Sequence, residues 1–334
     1  MKKIAIALCV LLTVIVGAPI FAQNSGKKIT IKLASLVPEG TDWGRALNRM
    51  AKEWSDATNG QVQLIVYHNG SQGSNEADVL RKLKGNQIQA AVFTSMGMAL
   101  ISPEIMTLST PFLIRNDREL DMVLSAVKPD LESRIQKGGY ISLAWAKSGW
   151  IRIFSKAPIY VPDDLKKQKL GTSNDTPAMN QAFKAMGYQL VPVDFNSVIP
   201  SLQSGMIDAV YQSPAAAAGY QLFGVAKNMT SFNIAPFMGG IVMNRTAWRS
   251  IPDQYKPKVL NICKQIEREI SNAIDQIEAG AIKIMSNNGL IINNTTSVQE
   301  QLWFADVEKA TPGLLKDGIF NEPLYLNIKR LLGR

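Results

Sequence analysis

Few side chains in this sequence are of the types that carry catalysis or bind a metal ion. His68 is the sole histidine, and it precedes Asn69-Gly70, a pair typical of a tight turn, which favours a surface position. Asp163 and Asp164 follow Pro162, where acidic side chains are typical of the first turn of a helix rather than of a catalytic pair. No nucleophile elbow, Walker loop or dinucleotide-binding glycine motif occurs. The residue types therefore predict no cofactor and no metal, and argue against an enzyme.

Cysteine chemistry is equally restricted. Cys9 lies in an apolar N-terminal run, which leaves Cys263 as the one cysteine in the rest of the chain. A single cysteine forms no intramolecular disulfide, so the fold depends on its hydrophobic core. Because Cys263 neighbours a stripe of isoleucines, we expect a buried and unreactive thiol.

The segments that must position a site alternate between strand and helix patterns. In the first third, strands are predicted at 29–34, 61–67 and 88–93, and helices at 43–57 and 77–83. In the middle, strands are predicted at 168–173, 189–193 and 207–211, and helices at 177–186 and 197–203. This order predicts an α/β fold with largely parallel sheets.

Both halves contain a helix that ends near a glycine and is followed at once by a buried strand. Gly85 precedes the strand at 88–93, and Gly205 precedes the strand at 207–211. Glycine at this position suits a helix that ends and turns into a sheet. The repetition predicts two similarly built lobes, although any two strand-helix units share these features.

The stretch from Pro252 to Asn288 has no internal break, and isoleucines from Ile262 to Ile284 keep one apolar stripe. At 1.5 Å per residue such a helix is about 50 Å long, more than one small domain needs. Asn287-Asn288-Gly289 supplies its end. We therefore expect a long helix that spans both lobes.

The N-terminus has the layout of a secretory signal peptide. Lys2 and Lys3 precede an apolar run from Ile4 to Val16, which is too short to span a membrane, and Ala22 suits a cleavage site. Residues 1–22 are thus predicted to be removed, with a retained anchor as the alternative because Ile20 fits the cleavage pattern poorly. Without the two lysines the formal charge of +9 falls to +7, and no basic block typical of nucleic-acid binding remains.

Short motifs follow one another over about 250 residues in the order found in one transporter family. They are Leu33-Ala34-Ser35 with Pro38, Gly40 and Trp43; Val66 to Gly73; Thr110-Pro111-Phe112-Leu113; Ala157 to Lys166; and Leu202 to Pro214. Through these motifs and their order, the chain resembles the DctP-type substrate-binding proteins of TRAP transporters. The resemblance implies a periplasmic protein of two α/β lobes with a hinge and a central cleft, which closes on a small-molecule ligand and delivers it to a membrane permease.

The resemblance also implies domain boundaries and partners. Lobe I is expected to comprise 28–148 and 236–285, and lobe II to comprise 149–235 and 286–334. Besides a TRAP-type permease, a periplasmic tetratricopeptide-repeat protein is a possible partner, since some branches of the family use one. An enzyme built on the same fold, or a sensory or structural interaction protein, are the alternatives from other classes.

The family's ligand-binding residues transfer only in part. Its principal arginine, which grips a carboxylate, falls at Gly171, and its second arginine corresponds to Arg152 only with a one-residue offset. Ser213 stands where the family has an amide side chain, and Ser95 lies in a turn where acidic or amide groups are common. The implied ligand-binding set is Trp43, Phe93, Ser95, Met96, Trp145, Trp150, Arg152, Gly171, Tyr211, Ser213, Phe237 and Met238.

These departures predict a cleft less polar than the family's usual one. Aromatic and methionine side chains suit an adaptable apolar site, although residues of the same types often belong to a core. The ligand is therefore expected to be hydrophobic or amphipathic rather than a simple carboxylate. The alternative is a small organic acid held by Arg152 and backbone amides.

Overall fold

The computed structural model describes residues 28–173 and 177–334, so the predicted signal peptide at 1–22 lies outside the described residues. The strands are β1 (Ile29–Ala34), β2 (Val62–Tyr67), β3 (Ala90–Thr94), β4 (Tyr140–Trp150), β5 (Arg152–Ser155), β6 (Lys169–Thr172), β7 (Gln189–Pro192), β8 (Ala209–Gln212), β9 (Asn228–Thr230), β10 (Pro236–Asn244) and β11 (Ile291–Asn293). The helices are α1 (Asp42–Ala57), α2 (Glu76–Lys84), α3 (Ser95–Ala99), α4 (Asp117–Lys137), α5 (Pro162–Lys166), α6 (Pro177–Ala185), α7 (Val198–Ser204), α8 (Pro214–Gly219), α9 (Arg245–Ser250), α10 (Lys256–Asn287), α11 (Ser297–Lys316) and α12 (Glu322–Leu331). Bounds are predicted from the sequence for strands β1, β2, β3, β6, β7 and β8 and for helices α1, α2, α6 and α7. Each of them lies within two residues of the observed bound.

Two separate sheets form the centres of two lobes, which confirms the α/β, two-lobed fold. The sheet of lobe I has the strand order β2-β1-β3-β10-β4, and that of lobe II has the order β11-β9-β5-β8-β6-β7. Both sheets are mixed rather than largely parallel, because β10 runs antiparallel to β3 and β4, and β5 runs antiparallel to β8 and β9. These antiparallel strands adjoin the chain crossings between the lobes.

Strand β3 illustrates why its apolar run becomes a central strand. Ala90 and Val92 pack into one hydrophobic cluster of lobe I, whereas Ala91 and Phe93 pack into another cluster. Successive side chains of a strand point to opposite faces of the sheet, so a strand covered on both sides must be apolar throughout. The strand ends at Thr94, whose hydroxyl accepts a hydrogen bond from the Gly97 amide and so caps α3.

Three of the segments that cross between the lobes lie next to one another and together form a hinge; a further crossing joins α11 to α12. Ile151 alone separates β4 from β5, and the return segment at 231–235 runs alongside it. The Ile151 amide donates to the Ala235 carbonyl at 2.9 Å, and the Ile234 amide donates to the Ile151 carbonyl at 3.0 Å. Helix α10 is the third segment.

Helix α10 spans both lobes as expected. Its first half packs against α1 and β4, with Val259, Cys263 and Ile270 in the core of lobe I. Its last turns contribute Met285 to the core of lobe II. Cys263 is fully buried, and this burial raises the pKa of its thiol to about 12, as expected for an inert cysteine.

The C-terminal helix departs from the predicted domain boundaries. Residues 286–334 were assigned to lobe II, and α11 does pack there against α5 and α6. Helix α12 instead packs against α4 of lobe I, where Ile328 is fully buried in its core. The sequence pattern of α12 defines an apolar face but not the surface that covers it.

Candidate functional site: the interlobe cleft

A cleft of about 830 Å³ lies between the two sheets, within the size range of small-molecule sites. Lobe I contributes the loop after β1, the start of α1, the end of β3 and the start of β10. Lobe II contributes the ends of β6 and β8 and the helix α8, and α10 forms the remaining wall. The hydrophobic lining residues include Trp43, Phe93, Met96, Ile151, Val198, Ile199, Tyr211, Phe237, Met238, Ile270, Ile274, Ile277 and Ile284.

Trp43 is fixed at the first turn of α1 by contacts with β4 and β10. Thr41 caps this helix by accepting from the Gly44 amide at 3.1 Å, so Trp43 projects from its first turn. The Trp43 indole Nε1 donates to Ser148 Oγ at 3.1 Å. A Cβ atom on Gly239 would lie 3.1 Å from the Trp43 ring, so this glycine provides the space for the ring.

A buried carboxylate supports the lobe I wall at the end of β3. Glu76 is 8% exposed, and its two oxygens accept hydrogen bonds from the Thr94 amide at 2.6 Å and the Thr94 hydroxyl at 2.8 Å. A buried carboxylate is tolerated when its oxygens are hydrogen-bonded. Glu76 therefore positions the β3 terminus beside the cleft.

The lobe II wall is lined by Gly171 and Tyr211 on neighbouring parts of its sheet. A Cβ atom on Gly171 would lie 2.7 Å from Ile207 Cδ1 and 3.2 Å from Val210 Cγ1. The Tyr211 hydroxyl lies 4.0 Å from the sulfur of Met96, which belongs to lobe I. This pair bridges the two lobes across the cleft.

Eight of the predicted ligand-binding residues line the cleft: Trp43, Phe93, Met96, Gly171, Tyr211, Ser213, Phe237 and Met238. The Ser213 hydroxyl accepts from the Ala216 amide at 3.3 Å and so serves as the cap of α8. Trp43, Met96, Tyr211 and Phe237 are partly exposed there, whereas Phe93 and Met238 are only 1% exposed and belong to the lobe I core behind the cleft wall.

Three predicted residues belong to the interior instead. Ser95 is buried and its hydroxyl pairs with that of Ser109 at 3.2 Å. The Trp145 indole donates to Ser142 Oγ at 2.6 Å, and the Trp150 indole donates to Asp117 Oδ1 at 3.0 Å. Both tryptophans belong to the core that β4 shares with α4, and a register irregularity of β4 between Lys147 and Trp150 allows two residues five apart to enter the same core.

Arg152 is likewise placed away from the cleft, which corrects the sequence-based expectation. Its neighbour Ile151 lines the cleft, whereas Arg152 lines a second cavity of about 340 Å³. Adjacent residues in extended backbone point to opposite sides, so a one-residue offset inverts the direction of the side chain. Without the offset, the family's second arginine corresponds to Ile151.

The cleft has few charged groups, and these have partners within the protein. Asp42, Arg45 and Glu76 are the charged residues among the described residues that line it. Arg45 pairs with Asp42 and donates to the Gly40 carbonyl, while Glu76 holds Thr94. Arg45 is thus the arginine of the described lining, and its side chain is 62% exposed in a surface ion pair rather than buried in the cleft.

The isoleucine stripe of α10 is the part of the site that the sequence analysis missed. Ile270 and Ile274 are buried, whereas Ile284 is 57% exposed, yet all of them border the cleft. The small residues of α8, including Ala216 and Gly219, let this helix pack closely on α10, so the two helices together form one apolar wall of the cleft. The length of the isoleucine stripe is the sequence signal that could have revealed this wall of the cleft, since the stripe continues beyond the core of lobe I.

A second buried carboxyl group lies at the hinge. Glu278 of α10 is 7% exposed and accepts a hydrogen bond from the Trp150 amide at 3.1 Å. Burial raises the pKa of Glu278 to about 7, and the Trp150 amide and Arg152 only partly oppose this shift. Gly149 has φ +108°, and a Cβ atom there would lie 2.0 Å from Glu278 Oε1, so this close approach requires glycine.

Lys147 links the same region to both neighbouring helices. Its ammonium group lies 2.5 Å from Asp117 of α4 and 2.7 Å from Asp275 of α10. Burial opposes the charge of Lys147, but the hydrogen bonds with the two carboxylates outweigh it and raise its pKa. Lys147 thus holds α10 against β4 on the lobe I side of the hinge.

Other kinds of site receive no support from the described part of the chain. No group of three or more histidine, cysteine, aspartate and glutamate side chains could hold a metal ion there. The same residues include no helix that is both long and apolar enough to cross a membrane. Asp164 accepts from the Tyr160 and Val161 amides at 3.0 and 3.1 Å, which confirms that it caps a helix start.

Comparison with known proteins connects this cleft to solute receptors. The chain is 26% identical over 223 residues to the 2,3-diketo-L-gulonate-binding periplasmic protein YiaO of Escherichia coli, covering 64% of this chain and 67% of YiaO. It is 22% identical over 229 residues to the C4-dicarboxylate-binding periplasmic protein DctP of Rhodobacter capsulatus, covering 67% of each chain.

Solved structures show the same fold. A TRAP periplasmic solute-binding protein of Sulfurospirillum deleyianum with bound succinate has a TM-score of 0.83 at 23% identity, covering 92% of this chain and all of that one. One from Pseudomonas putida with bound D-glucuronate has a TM-score of 0.81 at 20% identity, covering 91% of this chain and 96% of that one.

The sequence profile of one family covers most of the chain. It matches residues 33–316, which include both lobes, the hinge and α10. Members of this family are substrate-binding receptors rather than enzymes, in agreement with the scarcity of reactive groups in the cleft. The chain therefore belongs to the DctP family, family 7 of the bacterial extracellular solute-binding proteins.

Proposed function

We propose that this TRAP-type periplasmic solute-binding protein captures a hydrophobic or amphipathic ligand in the interlobe cleft and delivers it to a membrane permease. The observation that carries the proposal is the identity of two lining residues, Gly171 and Ile151. Each stands where the family resemblance places an arginine, and neither has a group that can hold a carboxylate. A ligand in this cleft must gain most of its binding energy in another way.

The apolar wall formed by α8 and α10 offers such a source of binding energy. Burial of each methylene group contributes about 0.8 kcal/mol, so a chain of about six methylenes gains roughly 5 kcal/mol before the costs of association. Isoleucines of α10 and small residues of α8 line the cleft along this wall. An alkyl chain or a flat apolar body fits this lining better than a polyhydroxylated acid does.

A polar atom of the cleft lining suits an amphipathic head group. Thr172 lines the cleft, and its buried hydroxyl has no hydrogen-bond partner in the protein. A buried hydroxyl without a partner loses free energy that a ligand hydroxyl or amide recovers. Because the lining includes Met96 of lobe I and Tyr211 of lobe II, a ligand that contacts both binds the closed arrangement better than an open one, as a population shift requires.

The ligand class can be tested by native mass spectrometry of protein purified gently from its own periplasm. We expect a co-purified molecule with an extended apolar portion. A thermal-shift panel then compares straight-chain alcohols and fatty acids with succinate and D-glucuronate. A ligand at 100 times its dissociation constant adds about 2.7 kcal/mol of stability. Stabilisation by the polar acids alone would contradict the proposal.

Replacement of Ile284 by glutamine is expected to weaken binding of an apolar ligand about fivefold, because about 1 kcal/mol of apolar burial is lost. Ile291→Gln is the matched control, since Ile284 and Ile291 are both 57% exposed but Ile291 does not line the cleft. Titration calorimetry with the molecule recovered from the purified protein measures both variants. Equal affinities of the two variants would show that this part of α10 does not contact the ligand.

A small organic acid is the second candidate, favoured by the succinate and D-glucuronate in the similar structures. Such a ligand would be bound by backbone amides, neutral side chains and Arg45, because the exposed ion pair of Arg45 with Asp42 contributes little and does not exclude a ligand carboxylate. The same thermal-shift panel distinguishes the candidates. A periplasmic tetratricopeptide-repeat partner stays a prediction that co-purification with the periplasmic protein would test.

A further inference from the structure

A second cavity, of about 340 Å³, lies on the opposite side of the hinge strand from the cleft. Ile151 lines the cleft and the next residue, Arg152, lines the cavity. Its lining residues come from the segment before α4, the return segment at 231–235 and helix α11: Phe112, Arg115, Arg152, Ser231, Phe232, Asn233, Glu300, Trp303 and Phe304. Residues adjoining both lobes therefore build this cavity.

Four aromatic rings form its apolar surface. The Phe112 ring lies 5.0 Å from that of Phe304 and 5.9 Å from that of Phe232, and Phe232 lies 5.1 Å from Trp303. The Arg115 guanidinium lies over the Phe304 ring at 4.4 Å. Rings at these distances are in direct contact with one another, so a further flat group would pack against the outside of the cluster rather than between its rings.

The backbone at Phe112 is strained where its ring enters the cavity. Phe112 has φ +58°, a left-handed conformation that costs a residue with a Cβ atom about 1–2 kcal/mol. Its amide donates to the Ile234 carbonyl at 2.7 Å, which holds the strained residue against the return segment. Strain of this kind is concentrated at ligand-binding positions.

Arg152 supplies a cation with unused donor capacity. Its Nη1 donates to the Ser231 carbonyl at 2.9 Å, but its Nε is buried without a hydrogen-bond partner. No ion pair joins Arg152 to a carboxylate within residues 28–173 and 177–334; Glu278 acts on it only at longer range. Burial lowers the pKa of this guanidinium, the expected consequence of a desolvated charge without a close counter-ion.

The remaining polar groups of the cavity define which chemical groups a ligand bound there would carry. Arg115 and Arg152 provide two positive charges against the single carboxylate of Glu300, which accepts from the Thr295 hydroxyl at 3.1 Å. Asn233 Oδ1 is buried without a partner and calls for a donor on the ligand. The lining thus combines net positive charge, aromatic rings, one free donor and one free acceptor.

We propose that this cavity is a second binding site, for a small aromatic carboxylate that also carries a hydroxyl or N–H group. The carboxylate accepts from Arg152, the ring packs against the outside of the cluster formed by Phe112, Phe232 and Phe304, and the donor on the ligand bonds to Asn233 Oδ1. The cavity is too small for a large polyanion, and the unused Nε donor of Arg152 suits a ligand with a single carboxylate. This site is independent of the ligand proposed for the cleft.

Titration calorimetry of the signal-free protein with 4-hydroxybenzoate tests the proposal. We expect saturable binding, and at least about tenfold weaker binding of the uncharged 4-hydroxybenzamide, since a charge-assisted hydrogen bond is lost. Asn233→Asp, nearly identical in shape, is expected to weaken 4-hydroxybenzoate binding at least about tenfold by adding a negative charge. Arg152→Gln should have a similar effect.

The controls separate this cavity from the cleft and from unfolding. Ile291→Gln, remote from both cavities, should bind 4-hydroxybenzoate as the wild type does. If Arg152→Gln does not fold, Asn233→Asp carries the test, because it leaves the Arg152 hydrogen bonds in place. A crystal structure of the complex should show the ligand in the second cavity, packed against its aromatic rings. Absence of binding, undiminished binding by Asn233→Asp, or a ligand found in the cleft would each overturn the proposal.

Discussion

Gly171→Arg, combined with Ile207→Val, is expected to bind succinate and D-glucuronate at least about tenfold more tightly than the wild-type protein, since a charge-assisted bidentate contact contributes about 1.5–3 kcal/mol. Gly171 lines the cleft at the position where the family resemblance places its carboxylate-binding arginine. The new Cβ atom would lie 2.7 Å from Ile207 Cδ1, and Ile207→Val removes that methyl group. Titration calorimetry measures both affinities.

The matched control is Gly171→Met with Ile207→Val, which adds a side chain of similar length without a charge. This variant should gain no affinity for either acid, and both variants should lose affinity for an apolar ligand because they fill the same space. A folded arginine variant that gains no carboxylate affinity would show that the cleft has diverged beyond Gly171. The absence of an arginine there would then no longer explain the choice of ligand.

Glu278→Gln is expected to stabilise the protein by up to about 3 kcal/mol at pH 8, the free energy that corresponds to a pKa raised from 4.5 to about 7. Between these two values the folded state keeps a proton on Glu278 that the unfolded chain has released. The free energy of unfolding of the wild type therefore falls as the pH rises through this window. Glutamine removes the charge but can still accept from the Trp150 amide.

Urea denaturation of both proteins at pH 5, 6, 7 and 8 measures this difference. The stability gain of the variant should be small at pH 5 and should increase up to pH 8. Glu269→Gln is the control on the same helix, since its side chain is 55% exposed and its ion pair with Arg49 contributes little. A gain that does not depend on pH would contradict a raised pKa at the hinge.

Local periodicity was sufficient to predict the elements that build the two lobes. The apolar run of β3 and the isoleucine stripe of α10 gave element types and bounds close to those observed, because periods of 2 and 3.6 are local properties. The direction of β10 and β4 was not predictable in this way. The pairing direction of a strand next to an interlobe crossing depends on where the chain re-enters the lobe. No local sequence pattern encodes this position.

The sequence was sufficient to predict those residues of the candidate site that lie at the ends of elements pointing into the cleft. Trp43 and Tyr211 lie beside the cleft as expected, at the ends of elements that point into it. Trp145 and Trp150 were predicted wrongly because an aromatic side chain suits a cleft and a core equally well. Only the position of α4 decides that their face of β4 is covered.

The sequence by itself determined the family, the two α/β lobes, the helix that spans them and the glycine at position 171 in place of an arginine. The tertiary structure alone decided that Ile151 faces the cleft and Arg152 the second cavity, since one residue of register reverses the side of a strand. It also decided that Glu278 is buried beside Gly149. Burial and charge environment depend on residues distant in sequence, and those contacts exist only once the lobes and α10 have packed.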